Sequence, residues 1–515
     1  MITRSEWILS DIHKSDIHKN DTERQYMRIV ALFITFTMAF ALLPTVTLPA
    51  NALGSGEYTS GDYGYSINKD GTVAIDQYFG SDENVIIPET LDGKRVTSME
   101  YYVFMSCEGV KTVTIPESIK SIGIYAFGGC YSLTDIYVDE NNLYYSSVDG
   151  NLFNKKRTTL INYASANSRT AYSIPESVTE IGVSAFQGSR ILTEITIPES
   201  VTEIGVSAFR GSRNLTEITI PVGVKDIGYD AFTHCRRLTA INVDEKNPYY
   251  SSVDGNLFNK EKTRIIQYAI GNSRTVYSIP GGVEIIGEGS FLACDNLILV
   301  TMSNSVTSIE YGAFSDCDAL ESIIISESVT SIGDYSFFHC KSLISITIPE
   351  SVKEIGVYSF YNCRSLSAMT FKSKAPPVFE ILSFMPISVI IYVPVGTKEA
   401  YEAAVRIKEY TIIEGEGPKP KPPPPTVTCG SCNICKSGKP PVKGQILGNS
   451  EPQIFDFTEI LQYLVYIPDC HIYKCVSALN AAILSKEGKA AGEPTIFCGV
   501  EILQYLVGLT DGKDW

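Results

Sequence analysis

A phenylalanine recurs every 23 residues through most of this 515-residue chain, and this period constrains the fold more than any other feature. The recurring unit reads SAFRGSRNLTEITIPVGVKDIG. Two of the steps measure 59 residues, and both contain YYSSVDGNLFNK, so we interpret each as one ordinary unit with an insertion of 36. A block of 105 residues is therefore duplicated. Self-similarity with a period of 23 residues is typical of repeat arrays. The repeat phenylalanines are Phe104, Phe127, Phe186, Phe209, Phe232, Phe291, Phe314, Phe337 and Phe360.

Each unit contains a short alternation of apolar and polar residues. Leu215, Ile218 and Ile220 alternate with polar residues up to Pro221, which predicts a short strand with one buried face. One unit cannot bury its apolar edges alone, but units stacked about 4.8 Å apart pair their strands in parallel around one continuous core. We therefore predict a mainly β, parallel solenoid. The inserted Asp-Gly pairs predict two hairpins that project from the stack.

Composition and charge exclude several classes of protein. Hydrophobic residues make up 44% of the chain, which is too many for a mainly disordered protein. The formal net charge of −16 gives no general attraction to nucleic acid or to anionic lipid. We expect an acidic protein without a nucleic-acid partner.

Residues 1–52 are predicted to be a secretory signal peptide. An apolar run without charges follows two arginines, and Ala50 and Ala52 fit a small-residue cleavage site. Because a long polar stretch precedes Met27, we predict that translation starts at Met27. Ile29–Leu48 also approaches the length of a membrane anchor, but we favour cleavage because threonine and proline interrupt the run. We expect the mature protein to be secreted, with no membrane segment.

The repeated stretch IPESVTEIGVSAFxGSxxLTEITIP resembles the BspA-type leucine-rich repeat of bacterial surface proteins. The inserted SVDGNLFNK resembles hairpin-bearing units of the same family. The match covers about Tyr63–Glu414, and we assign residues 53–414 to one repeat domain with caps. The resemblance implies a curved parallel β solenoid that serves adhesion or ligand binding at the cell surface. It implies no shared enzymatic activity.

Cysteine follows the repeat phenylalanine by three positions in most units. A metal ladder and disulfides are both conceivable at such a spacing. The same position holds Ser189 and Ser212, which favours a small polar group near the backbone, and neighbours in register are poorly directed for disulfides. We predict structural thiols. These cysteines are Cys107, Cys130, Cys235, Cys294, Cys317, Cys340 and Cys363.

Five tyrosines are the candidate ligand-binding residues of the solenoid. They occupy the variable pair of positions before the Ala/Ser-Phe, where the register predicts exposure. Tyrosine offers a large apolar face with a polar tip and is enriched at recognition surfaces. A row of threonines on the strands is interpreted as ordinary sheet chemistry instead. The candidate tyrosines are Tyr125, Tyr229, Tyr311, Tyr335 and Tyr358.

The sequence predicts no catalytic site and no cofactor. His234 and His339 each precede a repeat cysteine at equivalent places in their units, so they are copies in one register rather than partners in one site. The chain contains no nucleophile elbow, phosphate-binding loop or HExxH motif. We therefore expect a protein that is not an enzyme.

The composition changes after the repeats. Residues 415–426 are proline-rich and predict a semi-rigid linker. Residues 427–441 are cysteine-rich, with the C-x2-C-x2-C spacing of an iron–sulfur segment, but Lys439 stands where the fourth ligand is expected. The six cysteines of the tail fit disulfides or one zinc site, and we favour disulfides in a secreted segment.

Residues 442–515 contain a second, private repeat, EPQIFDFTEILQYLV and EPTIFCGVEILQYLV. Apolar residues at i, i+3, i+4, i+7 and i+8 predict a helix in the first copy, and we expect the two helices to pack together. The duplicated loop and helix resemble a dockerin, a small module that binds a cohesin. In the first calcium loop that this resemblance implies, Asn449 and Asp456 remain as possible oxygen ligands, but Leu447 occupies a ligand position without a suitable atom. The second copy has no suitable set of ligands, so we expect no calcium.

The dockerin resemblance also implies where a partner binds. Recognition in dockerins lies at positions ten and eleven of each loop, and an exposed Ile-Phe pair would form a hydrophobic docking patch. The same residues can instead fill the core between the two helices. The matching residues are Ile454, Phe455, Ile496 and Phe497.

Together these features predict a secreted or cell-surface, non-catalytic binding or adhesion protein. We expect its solenoid to bind a protein or polysaccharide surface ligand and its tail to dock to a cohesin-type scaffold. One alternative is a cellulosome-like enzyme accessory or unrecognised hydrolase, which clustered carboxylates on one solenoid face would favour. Another is a purely structural spacer, which a uniformly polar surface would favour.

Overall fold

The computed structural model describes residues 58–105, 107–379, 388–405 and 410–418. These residues form a mainly β, parallel solenoid, as the repeat predicts. Each turn of the solenoid is called a coil here, and the coils contribute their strands to two ladders. Within these ranges the structure contains no helix with the length and apolarity needed to cross a membrane. The predicted signal peptide, the cysteine-rich segment and the docking module lie outside the described residues.

The front ladder, as we call it, takes one strand from every coil. Its strands pair in parallel, usually with an offset of one repeat period, as where Val113 lies beside Ile136. The second residue of each strand points into the core, because side chains alternate along a strand. The strands are β4 (Asn84–Ile86), β7 (Thr112–Ile115), β9 (Asp135–Val138), β13 (Ala171–Ser173), β15 (Glu194–Thr196), β17 (Glu217–Ile220), β19 (Ala240–Val243), β23 (Val276–Ser278), β25 (Leu299–Thr301), β27 (Ser322–Ile324), β29 (Ser345–Ile348), β31 (Ala368–Phe371), β33 (Ile390–Val393) and β34 (Thr411–Glu414).

The side ladder consists mostly of two-residue strands and forms the second wall of the stack. A glycine follows many of these strands where neighbouring coils approach closely; a Cβ on Gly205 would lie 2.7 Å from the backbone nitrogen of Val183. The strands are β6 (Lys94–Met99), β8 (Ser121–Ile122), β12 (Thr159–Asn162), β14 (Glu180–Ile181), β16 (Glu203–Ile204), β18 (Asp226–Ile227), β22 (Arg264–Gln267), β24 (Ile285–Ile286), β26 (Ser308–Ile309), β28 (Ser331–Ile332), β30 (Glu354–Ile355) and β32 (Val378–Phe379).

The repeat phenylalanines stack on one another along the axis of the solenoid. The ring centroids of Phe314 and Phe337 are 5.4 Å apart with the ring planes at 2°, and those of Phe186 and Phe209 are 4.9 Å apart. These rings are buried, so each contributes a large apolar area to the core. The regular period thus reflects the need for one buried ring per coil.

The two insertions contain antiparallel strand pairs, β10 (Tyr145–Val148) with β11 (Asn151–Asn154) and β20 (Tyr250–Val253) with β21 (Asn256–Asn259). The turn of the first pair is Asp149-Gly150, with φ of 53° and 77°, as expected for a two-residue hairpin turn with left-handed backbone. The strand β11 also pairs with β12 of the side ladder. Its residues Leu152 and Phe153 are buried, so the inner strand is part of the core.

Each of the two long steps contains two coils rather than one enlarged coil, which corrects our interpretation of the insertion. Tyr163 lies one repeat period before Phe186 and occupies the phenylalanine position, with its ring centroid 5.0 Å from that of Phe186. Tyr268 repeats this arrangement at 5.2 Å from Phe291. The inserted residues therefore build a coil of their own, with a hairpin in it and a tyrosine at its centre.

The core is divided, although the sequence predicts one continuous core. Among the residues that the structure describes, the buried side chains form three hydrophobic clusters in chain order, and the boundaries between clusters lie at the two insertions. The division falls within the first hairpin, because Leu152 belongs to the first cluster and Phe153 to the second. Leu257 and Phe258 divide the second and third clusters in the same way.

Both ends of the solenoid carry elements that differ from the repeat. At the start, β1 (Tyr58–Ser60), β2 (Tyr63–Ile67) and β3 (Val73–Tyr78) pair antiparallel, and β5 (Thr90–Leu91) pairs with β6. Near the end, helix α1 (Lys398–Val405) precedes β34. Buried Tyr401 anchors this helix, because its hydroxyl donates a hydrogen bond of 2.7 Å to the carbonyl of Ser373.

Candidate ligand-binding surface

The residue two positions before each repeat phenylalanine lies at a tight bend. Its backbone is left-handed in most coils, with φ of 55° at both Tyr335 and Tyr358. Other coils have serine there, as at Ser184 and Ser207, aspartate at Asp230, or glycine. A bulky side chain in this conformation is uncommon and costs free energy, so its presence calls for a compensating contact.

The last coils supply that contact as a continuous group of aromatic rings. The ring of Tyr335 lies 5.4 Å from that of Tyr311 and 5.3 Å from that of Tyr358, centroid to centroid. Phe338 lies 5.3 Å from Tyr335 and 5.2 Å from Tyr361. We call these five residues the aromatic row. The four tyrosines are half-buried, and burial raises the pKa of Tyr311 and Tyr335 well above its usual value, so both hydroxyls stay protonated.

The other two candidate tyrosines lie elsewhere. Tyr125 stacks on Tyr102, with centroids 5.2 Å apart and planes at 4°, and burial raises the pKa of Tyr102 to about 12. Tyr229 covers Gly289, where an added Cβ would lie 3.1 Å from its ring. The structure thus brings together three of the five predicted tyrosines and separates the other two from them.

Three aromatic residues of these groups were missed at the sequence level. Tyr102 precedes Tyr125 by one repeat period, so the period itself was the signal. Phe338 and Tyr361 each directly follow a repeat phenylalanine and are also one period apart. The register predicts exposure for the pair of positions before the phenylalanine and makes no such prediction for the position after it.

Polar groups border the aromatic row. The Nδ1 atom of His339 lies 3.1 Å from a carboxylate oxygen of Asp316, and the ring of His339 stacks on Phe338 at 3.9 Å. Two positions further along, Lys341 and Asp318 form an ion pair at 2.7 Å. Apolar rings with a charged margin are the usual anatomy of a protein interface.

Five of the seven repeat cysteines donate a hydrogen bond to a carbonyl oxygen inside the stack: Cys130, Cys235, Cys317, Cys340 and Cys363. Cys340 Sγ donates to the carbonyl oxygen of Phe314 at 3.1 Å, and Ser212 Oγ donates to that of Phe186 at 2.8 Å. Burial raises the pKa of Cys363 to about 12, so this thiol stays neutral and a poor metal ligand. These bonds confirm that the position takes a small polar group near the backbone.

Three carboxylates lie next to one another on the side ladder. Glu180, Glu203 and Asp226 are in register on adjacent parallel strands. Partial burial, and then the neighbouring charges of Glu180 and Asp226, raise the pKa of Glu203. In the part of the chain that the structure describes, no group of three or more histidine, cysteine or acidic residues is arranged to hold a metal ion.

The candidate residues of the tail cannot be placed on this surface. The predicted partner-binding and calcium-remnant residues lie outside the described residues. They are Ile454, Phe455, Ile496, Phe497, Asn449 and Asp456.

Comparison with known families identifies the repeats. The model of the BspA type leucine-rich repeat region matches six copies, over residues 81–170, 158–277 and 263–379. The chain belongs to the BspA-type leucine-rich repeat family. The family assignment confirms the resemblance seen in the repeat sequence and supports a non-catalytic repeat protein of the cell-surface type.

Solved structures of bacterial leucine-rich repeat proteins are similar to this BspA-type chain. A leucine-rich cell surface protein from Faecalibacterium prausnitzii is 28% identical over 70% of this chain and 95% of its own, with a TM-score of 0.43. The pneumococcal vaccine antigen PcpA is 21% identical over 70% of this chain and all of its own, with a TM-score of 0.43. A leucine-rich repeat protein from Eubacterium ventriosum is 21% identical over 59% and 93%, with a TM-score of 0.36. No curated protein matches the chain significantly.

Proposed function

We propose that this protein is exported to the cell surface and binds a protein or polysaccharide surface ligand without catalysis or a cofactor. The observation that carries this proposal is the aromatic row, in which the rings of Tyr311, Tyr335 and Tyr358 from successive coils pack against one another at a tilt, beside a polar margin. Contact between rings fixes their positions before a ligand arrives. Binding then orders few side chains and costs little conformational entropy.

The row also argues against a structural spacer. A spacer needs no aromatic side chain in a left-handed conformation, and serine fills the same position in the coils around Ser184 and Ser207. Folding of these coils therefore does not require the aromatic side chains of Tyr335 and Tyr358.

Binding by the row can be tested with substitutions that the chain already uses elsewhere. Full-length protein and the double variant Tyr335→Ser/Tyr358→Ser are applied to an array of microbial glycans and surface proteins. We expect the double variant to lose at least about tenfold in affinity, since two aromatic anchors at about 1–2 kcal/mol each are removed. Tyr102→Ser/Tyr125→Ser is the matched control and should bind normally. If only the control variant loses affinity, the binding site lies near Tyr102 and Tyr125 in the first coils. If neither double variant loses affinity, the proposal that the aromatic row binds the ligand is contradicted.

We further propose that the tail docks the protein to a cohesin-type scaffold. Support comes from its duplicated loop-helix sequence and from the two Ile-Phe pairs, Ile454-Phe455 and Ile496-Phe497. Full-length protein is titrated against cohesins of the same organism, with a quadruple serine variant of these residues as the comparison. If no cohesin binds the unaltered chain, the docking proposal fails. Melting of the tail on calcium chelation would contradict our expectation that its loops have lost the metal.

A second candidate function follows from the in-register carboxylates. Glu180, Glu203 and Asp226 lie in register on adjacent strands, the pKa of Glu203 is raised by partial burial and then by its two acidic neighbours, and two neighbouring carboxyl groups are the catalytic pair of most glycoside hydrolases. The prediction of a hydrolase is checked by release of reducing sugar from bacterial polysaccharides. Activity that disappears in Glu203→Gln would support the hydrolase and contradict the non-catalytic proposal.

A further inference from the structure

The chain leaves the solenoid by turning back toward the earlier coils. After β34 the backbone bends at Gly415, which has φ of 130° and donates a hydrogen bond of 2.9 Å to the carbonyl of Val393 in the preceding coil. Glycine adopts such a positive φ without steric cost. The bend ends β34 and changes the direction of the chain.

Gly417 shows where the returning chain lies. A Cβ on this residue would overlap the hydroxyl of Thr370 and would lie 2.8 Å from the ring of Tyr392, so a side chain here would have to displace both. Thr370 and Tyr392 are in register on β31 and β33, and both alternate with buried residues, so they point outward from the front ladder. Between Glu414 and Gly417 the chain therefore passes back over β33 to β31 and contacts the outer face of the solenoid.

Three successive coils present a continuous strip in this direction. Thr370, Thr347 and Ile324 occupy the outward third position of β31, β29 and β27, and Ile324 is 50% exposed. We call these three residues the front strip. The first position of the same strands is small and buried, whereas β15 and β17 expose glutamates there, so the strands of the strip carry no charge on their outward face. The small residues are Ala368, Ser345 and Ser322.

The sequence after Gly417 suits this strip. Residues 418–425 read PKPKPPPP, which favours polyproline II geometry. The carbonyl groups of such a strand make no internal hydrogen bonds, and proline has no N–H group that needs a partner. In the part of the chain that the structure describes, the hydroxyls of Thr347 and Thr370 make no hydrogen bond to protein groups, so both are available to donate. Ile324 offers an apolar contact to the proline rings.

The proline-rich run is long enough to cover the strip. At about 3.1 Å per residue, the eight residues 418–425 span about 25 Å, which corresponds to about five coils at a spacing of about 4.8 Å. The front strip occupies three coils. Because Gly417 already lies on Thr370, the run begins at one end of the strip and reaches past Ile324 at the other end.

Two acidic residues flank the strip. Glu350 follows Thr347 by three residues and Glu321 precedes Ile324 by three residues, so they lie on opposite sides of it. Among the described residues neither carboxylate forms an ion pair. Lys353 donates at 3.3 Å to the backbone carbonyl of Glu350 and not to its carboxylate. Both carboxylates are therefore open to a lysine that passes along the strip.

The two lysines of the run match these positions. Lys419 and Lys421 follow Gly417 by two and four residues, which at about 3.1 Å per residue places them about one and about two and a half coils further along. Three residues complete one turn of polyproline II, so residues two apart point to different sides of the strand. Lys419 therefore comes near Glu350, and Lys421 comes near Glu321.

We propose that residues 418–425 dock on the front strip of their own chain as a polyproline II strand. Lys419 pairs with Glu350 and Lys421 pairs with Glu321, while the threonine hydroxyls donate to carbonyl groups of the run. The segment that follows the run then begins beside the coil of the second glutamate and not beyond the last coil. Docking also closes the front strip to outside ligands.

The test is zero-length cross-linking of the full-length protein. A carbodiimide joins a lysine amine to a carboxylate as an amide, and the reagent takes up the water that is released, so only groups in contact react. Peptide mass spectrometry should detect both lysine–glutamate pairs of the proposal at yields comparable to that of Lys341–Asp318, an ion pair of 2.7 Å that serves as internal standard. An equal mixture of isotope-labelled and unlabelled protein separates links within one chain, which we expect, from links between chains.

Two variants and a matched control separate docking from chance contact. Gly417→Val places a side chain against the outer face and should reduce both links by at least about fivefold, because the tethered run then meets the strip only transiently. Ile324→Lys puts a like charge beside Lys421 and should reduce the link to Glu321 by a similar factor. Ile86→Lys, at the same outward position of β4 and 71% exposed, lies out of reach and should leave both links unchanged.

Several outcomes would overturn the proposal. Links from the two lysines only to Glu399 or Glu402 of α1 would show that the run projects from the end of the stack. Links only between chains would show that it docks on a second copy. No link to a solenoid carboxylate, or unchanged yields in Gly417→Val, would also contradict docking. In every variant the yield of the internal standard reports that the solenoid remains folded.

Discussion

At the position three places after the repeat phenylalanine, hydrogen bonding explains why serine replaces cysteine at Ser212, whereas Ser189 Oγ is buried without a hydrogen-bond partner among the described residues. Cys340 and Ser212 donate to carbonyl oxygens of the preceding coil, those of Phe314 and Phe186. The sequence could predict a small polar group there, because Ser189 and Ser212 share the register of the cysteines. The sequence could not predict which carbonyl oxygen accepts this hydrogen bond, since that depends on how successive coils are offset when they stack.

We expect this donor to matter more than the sulfur atom. Cys340→Ser keeps a donor and should cost less than about 1 kcal/mol, whereas Cys340→Val fills the space but leaves the Phe314 carbonyl without this bond and should cost about 1–3 kcal/mol. Urea unfolding of the full chain measures both. The reciprocal control Ser212→Cys should be neutral within about 1 kcal/mol. A serine variant less stable than the valine variant would show that packing, not hydrogen bonding, decides this position.

Two buried asparagines fasten the insertions to the repeat. Asn247 donates to the carbonyls of Pro221 and Val224 at 2.8 and 2.9 Å and accepts from the backbone nitrogens of Tyr249 and Tyr250. Asn142 makes the same four bonds in the first copy. No signal in a single sequence separates such an asparagine from an ordinary turn residue, because its role depends on carbonyls from the preceding coil.

Removing one of these asparagines should destabilise the solenoid strongly. We expect Asn247→Leu to cost about 3 kcal/mol, since two buried carbonyl groups and two partly buried N–H groups of the backbone lose a partner. Asn142→Leu should cost a similar amount, and Lys246→Ala, at the exposed neighbouring position, should cost less than about 0.5 kcal/mol. Denaturant titration compares the three. A cost below about 1 kcal/mol for both asparagine variants would contradict the anchoring role.

At the scale of elements, the alternation of apolar and polar residues was sufficient to predict the parallel strands. It was not sufficient to count the coils, because the inserted coil replaces phenylalanine by tyrosine and carries Ala166 or Gly271 where the others have cysteine or serine. The available signal was the spacing of one repeat period from Tyr163 to Phe186 and from Tyr268 to Phe291. A count made on phenylalanine alone cannot separate a long insertion from a coil that uses another ring.

The hairpin turn gives a prediction at this scale. Gly255 has φ of 78°, and a Cβ there would lie 3.1 Å from the carbonyl oxygen of Thr239, so Gly255→Ala should destabilise by about 1–3 kcal/mol. Gly281 has open space around it and no left-handed backbone, so Gly281→Ala should be neutral or stabilise by up to about 1 kcal/mol. Urea midpoints of the two variants measure the difference. Similar midpoints would mean that the turn relaxes to accept a side chain.

At the scale of the whole molecule, the hairpins decide how the core is connected. A repeat array is stabilised by contacts between neighbours, and its cooperativity depends on how well each interface transmits them. Here each insertion places its hairpin between two hydrophobic clusters. The sequence reveals where the insertions lie, but only the burial of Leu152 and Phe153 in different clusters shows that they divide the core.

This division predicts local rather than global loosening when one cluster is damaged. Phe314→Ala removes a fully buried ring from the third cluster and should cost about 3–5 kcal/mol. Hydrogen exchange followed by mass spectrometry should then rise strongly in the coils around Phe291, Phe314 and Phe337, and little in the first cluster around Phe104. Tyr137→Ala, on the exposed face of the front ladder, should leave exchange unchanged throughout. An equal rise in all three clusters would show that the hairpins transmit stability and that the solenoid unfolds as one unit.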